Sequence, residues 1–469
     1  MAAYVEDTIA ALATPPGVGA VAVIRISGRG AREVASRVLR RRRSEAALLD
    51  GAPSHQARIG ILHRPGDPAP IDEVLALQML APRSFTGEDV VEIHCHGGRL
   101  VPDRALRAVL AGGARAARAG EFTERAFLNG RLDLCQAEAV ADMIEAATDV
   151  GLAAAWQQLD GALSRAIMAL RDEVLDARAE VEAHLDFPED DLPTDARARV
   201  EGALERVARR LGQLAGSYER GRLGREGVRV VLLGKPNVGK SSLLNALIGR
   251  ERALVSPEAG TTRDYLEEPA AIAGLSALVY DTAGIRDADS HIEAAGIARS
   301  GDLAVAADVL LCVLDTSMAL DQLDNAVLRL AQRSRKPSVL VGNKRDLAQA
   351  WSPGDLDALW GADDHRAAPP FAPVSAASGE GLEALCTAIA TQAGCGSGEH
   401  SEPPLVTRAR QHSAILDASQ QVRSAANALR DGGPLDAVAT ELQMAACGLD
   451  ACDQRARLDR ATGPCRDLS

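Results

Sequence analysis

Gly234-Lys235-Pro236-Asn237-Val238-Gly239-Lys240-Ser241 lies between an apolar run, Val228 to Leu233, and a helical pattern, Ser242-Leu243-Leu244-Asn245-Ala246-Leu247. The octapeptide fits G-x-x-x-x-G-K-[ST], and a preceding strand with a following helix is the context in which that spelling cradles phosphate. Glycines let the backbone turn tightly and aim N–H groups at an anion, to which the helix N-terminus adds its dipole. Lys240 is placed to reach the β- and γ-phosphates and the Ser241 hydroxyl to ligate Mg²⁺, with Asn237, Val238, Gly239 and Ser242 completing the loop. The 469 residues hold only four lysines, two of them in this loop, and arginine supplies every other basic side chain. A compact ammonium on a flexible stem is what a phosphate loop requires.

Three further motifs follow in order. Asp281-Thr282-Ala283-Gly284 ends the apolar stretch Leu278-Val279-Tyr280, giving a carboxylate near Mg²⁺ and a glycine N–H for the γ-phosphate. Asn343-Lys344-Arg345-Asp346 follows the strand Ser338 to Val341. Its Asp346 carboxylate can accept two parallel hydrogen bonds from guanine N1–H and the 2-amino group, a pair that adenine lacks. Ser375-Ala376-Ala377 supplies a loop for the guanine edge. Together these predict a guanine-nucleotide hydrolase domain over about residues 220–395. The position that often carries a water-orienting glutamine is Ile285, which cannot polarise water. Glu293 and Asp287 both stand nearby in sequence, and spacing alone does not choose between them.

The length predicts about three domains with ample core. A net charge of −13 gives no global field for nucleic acid, so any RNA contact needs a local patch. The run Arg40 to Arg43 is one such patch, and a solvated helix end is the plainer reading. Eight cysteines show no paired metal spacing, no signal peptide precedes them, and no apolar stretch spans a bilayer. A reduced cytoplasmic protein with no membrane partner is expected.

Residues 1–120 read as mixed α/β, with strands at Val21–Ile26, Ala57–Leu62, Val74–Met79 and Val90–Cys95 and a helix over Ala31–Leu39. From Cys135 to about Leu223 the chain is alanine- and leucine-rich with repeated acids, a helical pattern broken near Phe187-Pro188; helix resumes at Ala409–Leu429. The expected architecture is multidomain, α/β plus all-α. An N-terminal α/β domain (1–120) precedes a helical domain in two parts (121–219 and 396–469), into which a Ras-like P-loop domain with a mostly parallel sheet (220–395) is inserted. His94-Cys95-His96 puts two imidazoles on one strand face, with ordinary packing favoured over a metal because further ligands are missing.

Asp7-Thr8-Ile9-Ala10, Ala13-Thr14-Pro15-Pro16-Gly17, Arg25-Ile26-Ser27-Gly28, Phe85-Thr86-Gly87-Glu88-Asp89 with His96-Gly97-Gly98, Gly120 to Asp133, and Asp186-Phe187-Pro188 all resemble the tRNA-modification GTPase family MnmE (TrmE). That resemblance covers the chain to about Leu442. It implies a homodimer whose N-terminal domain binds folate, and a flavoprotein partner, MnmG (GidA), carrying FAD. With GTP and Mg²⁺, the pair builds an aminomethyl or carboxymethylaminomethyl group on C5 of the tRNA wobble uridine, taking one carbon from 5-formyl- or methylene-tetrahydrofolate. By position, Arg25, Glu92 and Arg131 match the folate contacts. K⁺ takes the place of an arginine finger: Asn237 matches a K⁺ ligand, and Ser256-Pro257-Glu258-Ala259-Gly260-Thr261-Thr262 matches the loop closing over the ion, with Ser256, Glu258 and Thr261 among its ligands. Thr262 matches the second Mg²⁺ ligand. Glu293 falls where the family keeps its water-organising acid, and so ranks above Asp287 as the catalytic partner of Lys240.

The tail departs from that family, which ends Phe-Cys-Ile-Gly-Lys. Here the chain after Met444 reads Ala445-Ala446-Cys447-Gly448-Leu449-Asp450-Ala451-Cys452 and ends Gly463-Pro464-Cys465-Arg466-Asp467-Leu468-Ser469. Apolar periodicity is expected to fade from Met444 onward, as a reading-frame shift in GC-rich DNA would produce. Cys465 lacks the motif around it. Two alternatives to the modifying enzyme are a GTPase that switches without modifying tRNA, and an Era-like ribosome-assembly GTPase.

Overall fold

The computed structural model describes residues 7–42, 46–146, 148–185, 194–250, 267–273, 275–281, 303–360, 368–394 and 404–453. They fall into two compact units, 1–140 with 453–469, and 141–452.

In the first unit the strands are β1 (Ile9–Leu12), β2 (Val21–Ser27), β3 (Leu39–Arg40), β4 (Ala57–His63), β5 (Pro70–Met79), β6 (Val90–His96) and β7 (Arg115–Ala116), with helices α1 (Ala31–Val38), α2 (Val101–Ala111) and α3 (Glu121–Leu128). They form one seven-stranded sheet in the order β3-β4-β5-β6-β2-β1-β7, antiparallel except where β1 meets β7. Period-2 alternation decides what each strand buries. Ala22, Ile24 and Ile26 of β2 and Val91, Ile93 and Cys95 of β6 face inward, where Val34 and Val38 of α1 and Ala105 and Val109 of α2 close the core. The intervening residues, Arg25 on β2 and Glu92, His94 and His96 on β6, therefore share the other face. Register sets Arg25 directly opposite Glu92. The Arg40 to Arg43 run is not a helix end: Arg40 lies in β3, Arg41 donates to the Asp50 carbonyl at 3.1 Å, and Arg42 pairs with Glu73 at 3.3 Å, while Arg43 lies outside the described residues.

A charge cluster ties this unit's periphery together. Arg115 and Arg125 share the carboxylates of Asp7 and Glu121, and Arg125 also reaches Glu88. The Arg115 hydrogen bond, joined by the Arg118 backbone N–H and Arg125, outweighs burial and holds the Glu121 carboxyl at about 2, against an ordinary 4.5. Unfolded chain takes up that proton near pH 4.5 and folded chain only near pH 2, so acid favours unfolding. The stabilisation is complete above pH 4.5 and drains away as the pH falls toward 2. Unfolding midpoints measured down this range should fall steeply for the wild type, and the slope should flatten in Glu121→Gln.

The second unit carries α5 (Asp149–Leu159), α6 (Ala162–Leu185), α7 (Thr194–Gly216), α8 (Tyr218–Glu226), α13 (Ala409–Arg430) and α14 (Leu435–Cys452); α4 (Leu134–Glu145) runs into it. Thr148 caps α5 through the Gly151 N–H at 3.0 Å. Side chains on either side of the nucleotide-domain sequence meet: Ser419 donates to the Ala208 carbonyl, Arg430 pairs with Glu201 and Glu205, Arg171 with Asp450, and Arg178 with Gln443. The expectation that helical periodicity ends at Met444 is corrected. Val438, Leu442, Ala445, Ala446, Leu449 and Cys452 recur at three- and four-residue spacing and are all buried, so α14 continues to Cys452. Alanine-rich sequence with small buried side chains reads as weakly apolar even though it packs a helix face. The residues after Asp453 lie outside the described chain.

Between α8 and α13 lie β8 (Val228–Leu233), α9 (Lys240–Arg250), β9 (Glu267–Ile272), β10 (Leu275–Asp281), β11 (Val309–Asp315), α10 (Gln322–Ser334), β12 (Ser338–Asn343), α11 (Pro353–Trp360), β13 (Phe371–Pro373) and α12 (Leu382–Gln392). The sheet order is β13-β12-β11-β8-β10-β9, parallel throughout except for β9 against β10. Both faces are covered: Val230 and Leu232 point into one core, Val231 and Leu233 into another. That double burial is why β8, β11 and β12 are rich in Val and Leu and only briefly interrupted by polar residues. Loops at the carboxyl ends of parallel strands form the crevice in which such sheets bind ligands. No helix among the described residues is long and apolar enough to cross a membrane.

Candidate nucleotide site

The phosphate loop leaves β8 at Gly234, and α9 begins at Lys240, so the positive end of the helix dipole faces the loop. Asn237 has φ +65° and Gly239 φ +95°. A Cβ at Gly239 would run into the Asn343 side-chain amide, so glycine is required there for both backbone and space. Lys240 is buried, and its Nζ donates to the carbonyls of Gly234 at 2.7 Å and Lys235 at 2.9 Å. Its ammonium is thus wrapped by the loop that it serves.

The guanine-side motif is fastened to the same loop. Asn343 Nδ2 donates to the Val238 carbonyl at 2.8 Å, while its Oδ1 accepts the Ala376 N–H at 3.0 Å. Lys344 Nζ donates to the Asn237 carbonyl at 3.0 Å and to Asp315 Oδ2 at 2.6 Å. The Ser375 hydroxyl donates to Asp346 Oδ1 at 2.6 Å, aligning the carboxylate that the sequence assigns to guanine. Asn343, Lys344, Asp346, Ser375 and Ala376 are therefore brought together with Asn237 and Val238, and Ala377 follows, exposed, on the same loop. Burial pushes the Asp315 carboxyl up, but hydrogen bonds from Lys344 and Ser317 prevail and hold it below the usual carboxylate range. Sequence reasoning missed Asp315: it ends an apolar strand as one acid among many, and only parallel pairing brings it beside Asn343. Ser241 and Ser242 stand at the start of α9. The backbone of Asp281 closes β10, whereas its side chain, Thr282 to Gly284, the Ser256–Thr262 loop, Ile285, Asp287 and Glu293 lie outside the described residues.

In the first unit, Arg25 Nε meets Glu92 at 2.8 Å, and its guanidinium lies 5.1 Å from the Phe85 ring centroid and 5.7 Å from that of Phe122. Cation–π attraction and the carboxylate hold the planar cation from three sides. His94 Nε2 is 3.6 Å from Glu92. Arg131 is exposed after α3 and makes no side-chain hydrogen bond or ion pair to Arg25 or Glu92 among the described residues. Arg25 and Glu92 thus offer a cation and an acceptor on this face of the sheet. His94 and His96 do not converge on a metal: His96 Nδ1 instead pairs with Asp72 at 2.8 Å. A different set draws together, Asp133, Cys135 and Asp453, all buried with ligand atoms within 4.8 Å. Asp133 also caps α4 in a reciprocal box with Gln136.

A glycine-bearing loop on a helix N-terminus, locked to an Asn-Lys-x-Asp motif across a parallel sheet, defines a P-loop guanine-nucleotide protein. Comparison with known proteins places it further. A family model described as the GTP-binding protein TrmE N-terminus matches residues 8–131, and one described as the MnmE helical domain matches residues 134–453. The tRNA modification GTPase MnmE of Heliobacterium modesticaldum is 42% identical over 447 residues, covering 94% of each chain. That of Geobacter sulfurreducens is 41% identical over 441 residues, covering 94% of this chain and 93% of its own. A solved G domain of the T. maritima FeoB iron transporter aligns with 35% of this chain and 98% of its own at 28% identity, with a TM-score of 0.27, too low to bear on the fold. The chain belongs to the MnmE family of tRNA modification GTPases.

Proposed function

We propose that this chain is a K⁺-stimulated GTPase that acts with the FAD-carrying MnmG flavoprotein to place an aminomethyl or carboxymethylaminomethyl group on C5 of the tRNA wobble uridine. The one-carbon unit comes from a tetrahydrofolate held by the N-terminal domain of a cytoplasmic homodimer. The observation that carries the reading is the fastening of Asn343 and Lys344 to the Val238 and Asn237 carbonyls, in a chain that spans 94% of its relatives' length. On this reading 1–120 forms the folate domain, and 121–219 with 396–469 a helical domain interrupted by the nucleotide domain, 220–395.

Within the nucleotide domain, Lys240 draws charge from the β- and γ-phosphates, and Asp346, aligned by Ser375, accepts the guanine donors. Ser241 and Thr262 would hold Mg²⁺; Asn237, Ser256, Glu258 and Thr261 would hold K⁺. The two cations together supply positive charge where the transition state builds negative charge. Glu293 is assigned the orienting of water, directly or through a second water, because Ile285 cannot do so. In the N-terminal domain Arg25 and Glu92 present a cation and an acceptor side by side, suited to a folate's glutamate tail and pterin edge respectively, and Arg131 is assigned to the same ligand.

A second reading keeps the GTP hydrolysis but not the tRNA chemistry. It is a GTPase that switches without completing the modification. Nucleoside mass spectrometry on tRNA incubated with the full chain, the flavoprotein, GTP, a one-carbon folate, glycine or ammonium, and K⁺ decides between them. A modified uridine with GTP turnover that drops when Na⁺ replaces K⁺ is expected. GTP turnover with no modified nucleoside selects the second reading, and no GTP turnover overturns both.

A further inference from the structure

The loop's other lysine, Lys235, does not face the phosphate position. Its Nζ donates to Asp324 Oδ2 at 2.6 Å and to Asp321 Oδ2 at 2.8 Å. These acids already cap α10 in a reciprocal box: Asp321 Oδ1 accepts the N–H groups of Leu323 at 2.8 Å and Asp324 at 3.1 Å, and Asp324 Oδ2 accepts that of Asp321 at 3.1 Å. Asp324 is 1% exposed, so its charge needs the Lys235 ammonium beside it. Burial pulls the Lys235 ammonium down, yet the two carboxylates prevail and keep it charged.

Three consequences meet in the loop. Lys235 is tethered by its side chain, and its own carbonyl accepts Lys240 Nζ at 2.9 Å. The tether therefore fixes a group that holds the phosphate-binding ammonium. It also turns a second positive charge away from Lys240, which would otherwise share a narrow space with it. Finally, α10 leads into β12, which ends at Asn343 with Lys344 the next residue. The loop is thus pinned near its start by the head of α10 and further along by the motif that follows α10.

We propose that Lys235, clamped by Asp321 and Asp324, is a positioning residue that preorganises the phosphate loop for nucleotide and orients Lys240 through the Lys235 carbonyl. Preorganisation lowers the ordering cost of binding, so its loss weakens nucleotide affinity more than turnover at saturation.

The test uses the full-length chain, with GTP KM and kcat from phosphate release and affinity for GDP from displacement of a fluorescent GDP analogue. Lys235→Gln and Asp324→Asn should each raise GTP KM and the GDP Kd by about tenfold, with kcat falling less than threefold. Because the two residues act as one contact, the double variant should be no worse than either single one. Lys235→Arg should recover most of the affinity. Asp321→Asn, at the half-exposed cap, should fold without difficulty and raise KM by about threefold, so it decides the matter should Asp324→Asn fail to fold. Unchanged KM in Lys235→Gln or Asp321→Asn, effects that simply add in the double variant, or loss confined to kcat would each overturn the proposal. Wild-type turnover in the same assay checks separately that GTP is the loop's ligand.

Discussion

Lys240→Ala is expected to reduce GTP turnover at saturation by roughly 10²–10³-fold, the scale of removing one preorganised electrostatic group from a reacting oxygen. The reason lies in where the other cations of the loop are committed. Lys235 is held by Asp321 and Asp324, and Lys344 by Asp315 and the Asn237 carbonyl. Neither can swing in to replace Lys240 without abandoning a buried or half-buried carboxylate, which costs more than a surface ion pair returns. The fold should tolerate the change, because the Gly234 and Lys235 carbonyls that lose the ammonium belong to half-buried loop residues. Phosphate release at saturating GTP, beside an unchanged melting profile, is the check. Turnover within threefold of wild type would mean that phosphate charge is met elsewhere, and the assignment of this loop would fall.

How far the sequence anticipates such a site varies with the kind of signal. The P-loop and the Asn343–Asp346 motif were legible because each is local: spacing alone puts the needed groups on one turn after one strand. The strands β2, β4, β5 and β6 were legible through alternation, and β8 and β12 through apolar runs that double burial sustains, while β11 was not singled out. Short members of the first sheet were not. Ile9–Leu12, Leu39–Arg40 and Arg115–Ala116 are too brief to show a period and exist because longer neighbours offer them unpaired edges. Partners distant in sequence were equally hidden. Arg25 and Glu92 could each be named, but their apposition depends on the β2–β6 register, and the Lys235 clamp depends on the crossover that brings α10 back beside β8. The capping box of α10 was written in plain sight as Asp321-Gln322-Leu323-Asp324, yet nothing local says that a lysine from another loop will sit on it. The last helix failed for a subtler reason: its buried face is built largely of alanine, Ala439, Ala445 and Ala446, whose small side chains make a weak apolar period while packing closely.

Arg125→Met should destabilise the N-terminal unit by about 3–5 kcal/mol, the cost of stripping one partner from a buried ion cluster. Arg125 is 3% exposed, and its guanidinium donates to the Asp7 carbonyl at 2.8 Å, Asp7 Oδ1 at 2.5 Å, Glu121 Oε1 at 3.2 Å and both Glu88 oxygens at 3.3 Å. A methionine of similar length fills the space but leaves three carboxylates with less cation than they were built around. Arg115 still serves Asp7 and Glu121, and the Ser27 hydroxyl still donates to Glu88 at 2.7 Å, which keeps the loss below that of an isolated buried charge. Arg125→Lys should recover only part of the stability, since a single ammonium cannot span acceptors arranged for a planar fork. A chain of several domains need not unfold in one step. The informative measurement is therefore local: amide exchange in β1, the 84–88 loop and α3 should accelerate together in Arg125→Met. Acceleration in α3 alone would show that the cluster is a helix-surface pair and not the clasp joining the start of the chain to that loop. If all three segments loosen together, the variant's acid unfolding should lie at higher pH than the wild type's, because the Glu121 carboxylate keeps the Arg115 hydrogen bond but loses that from Arg125.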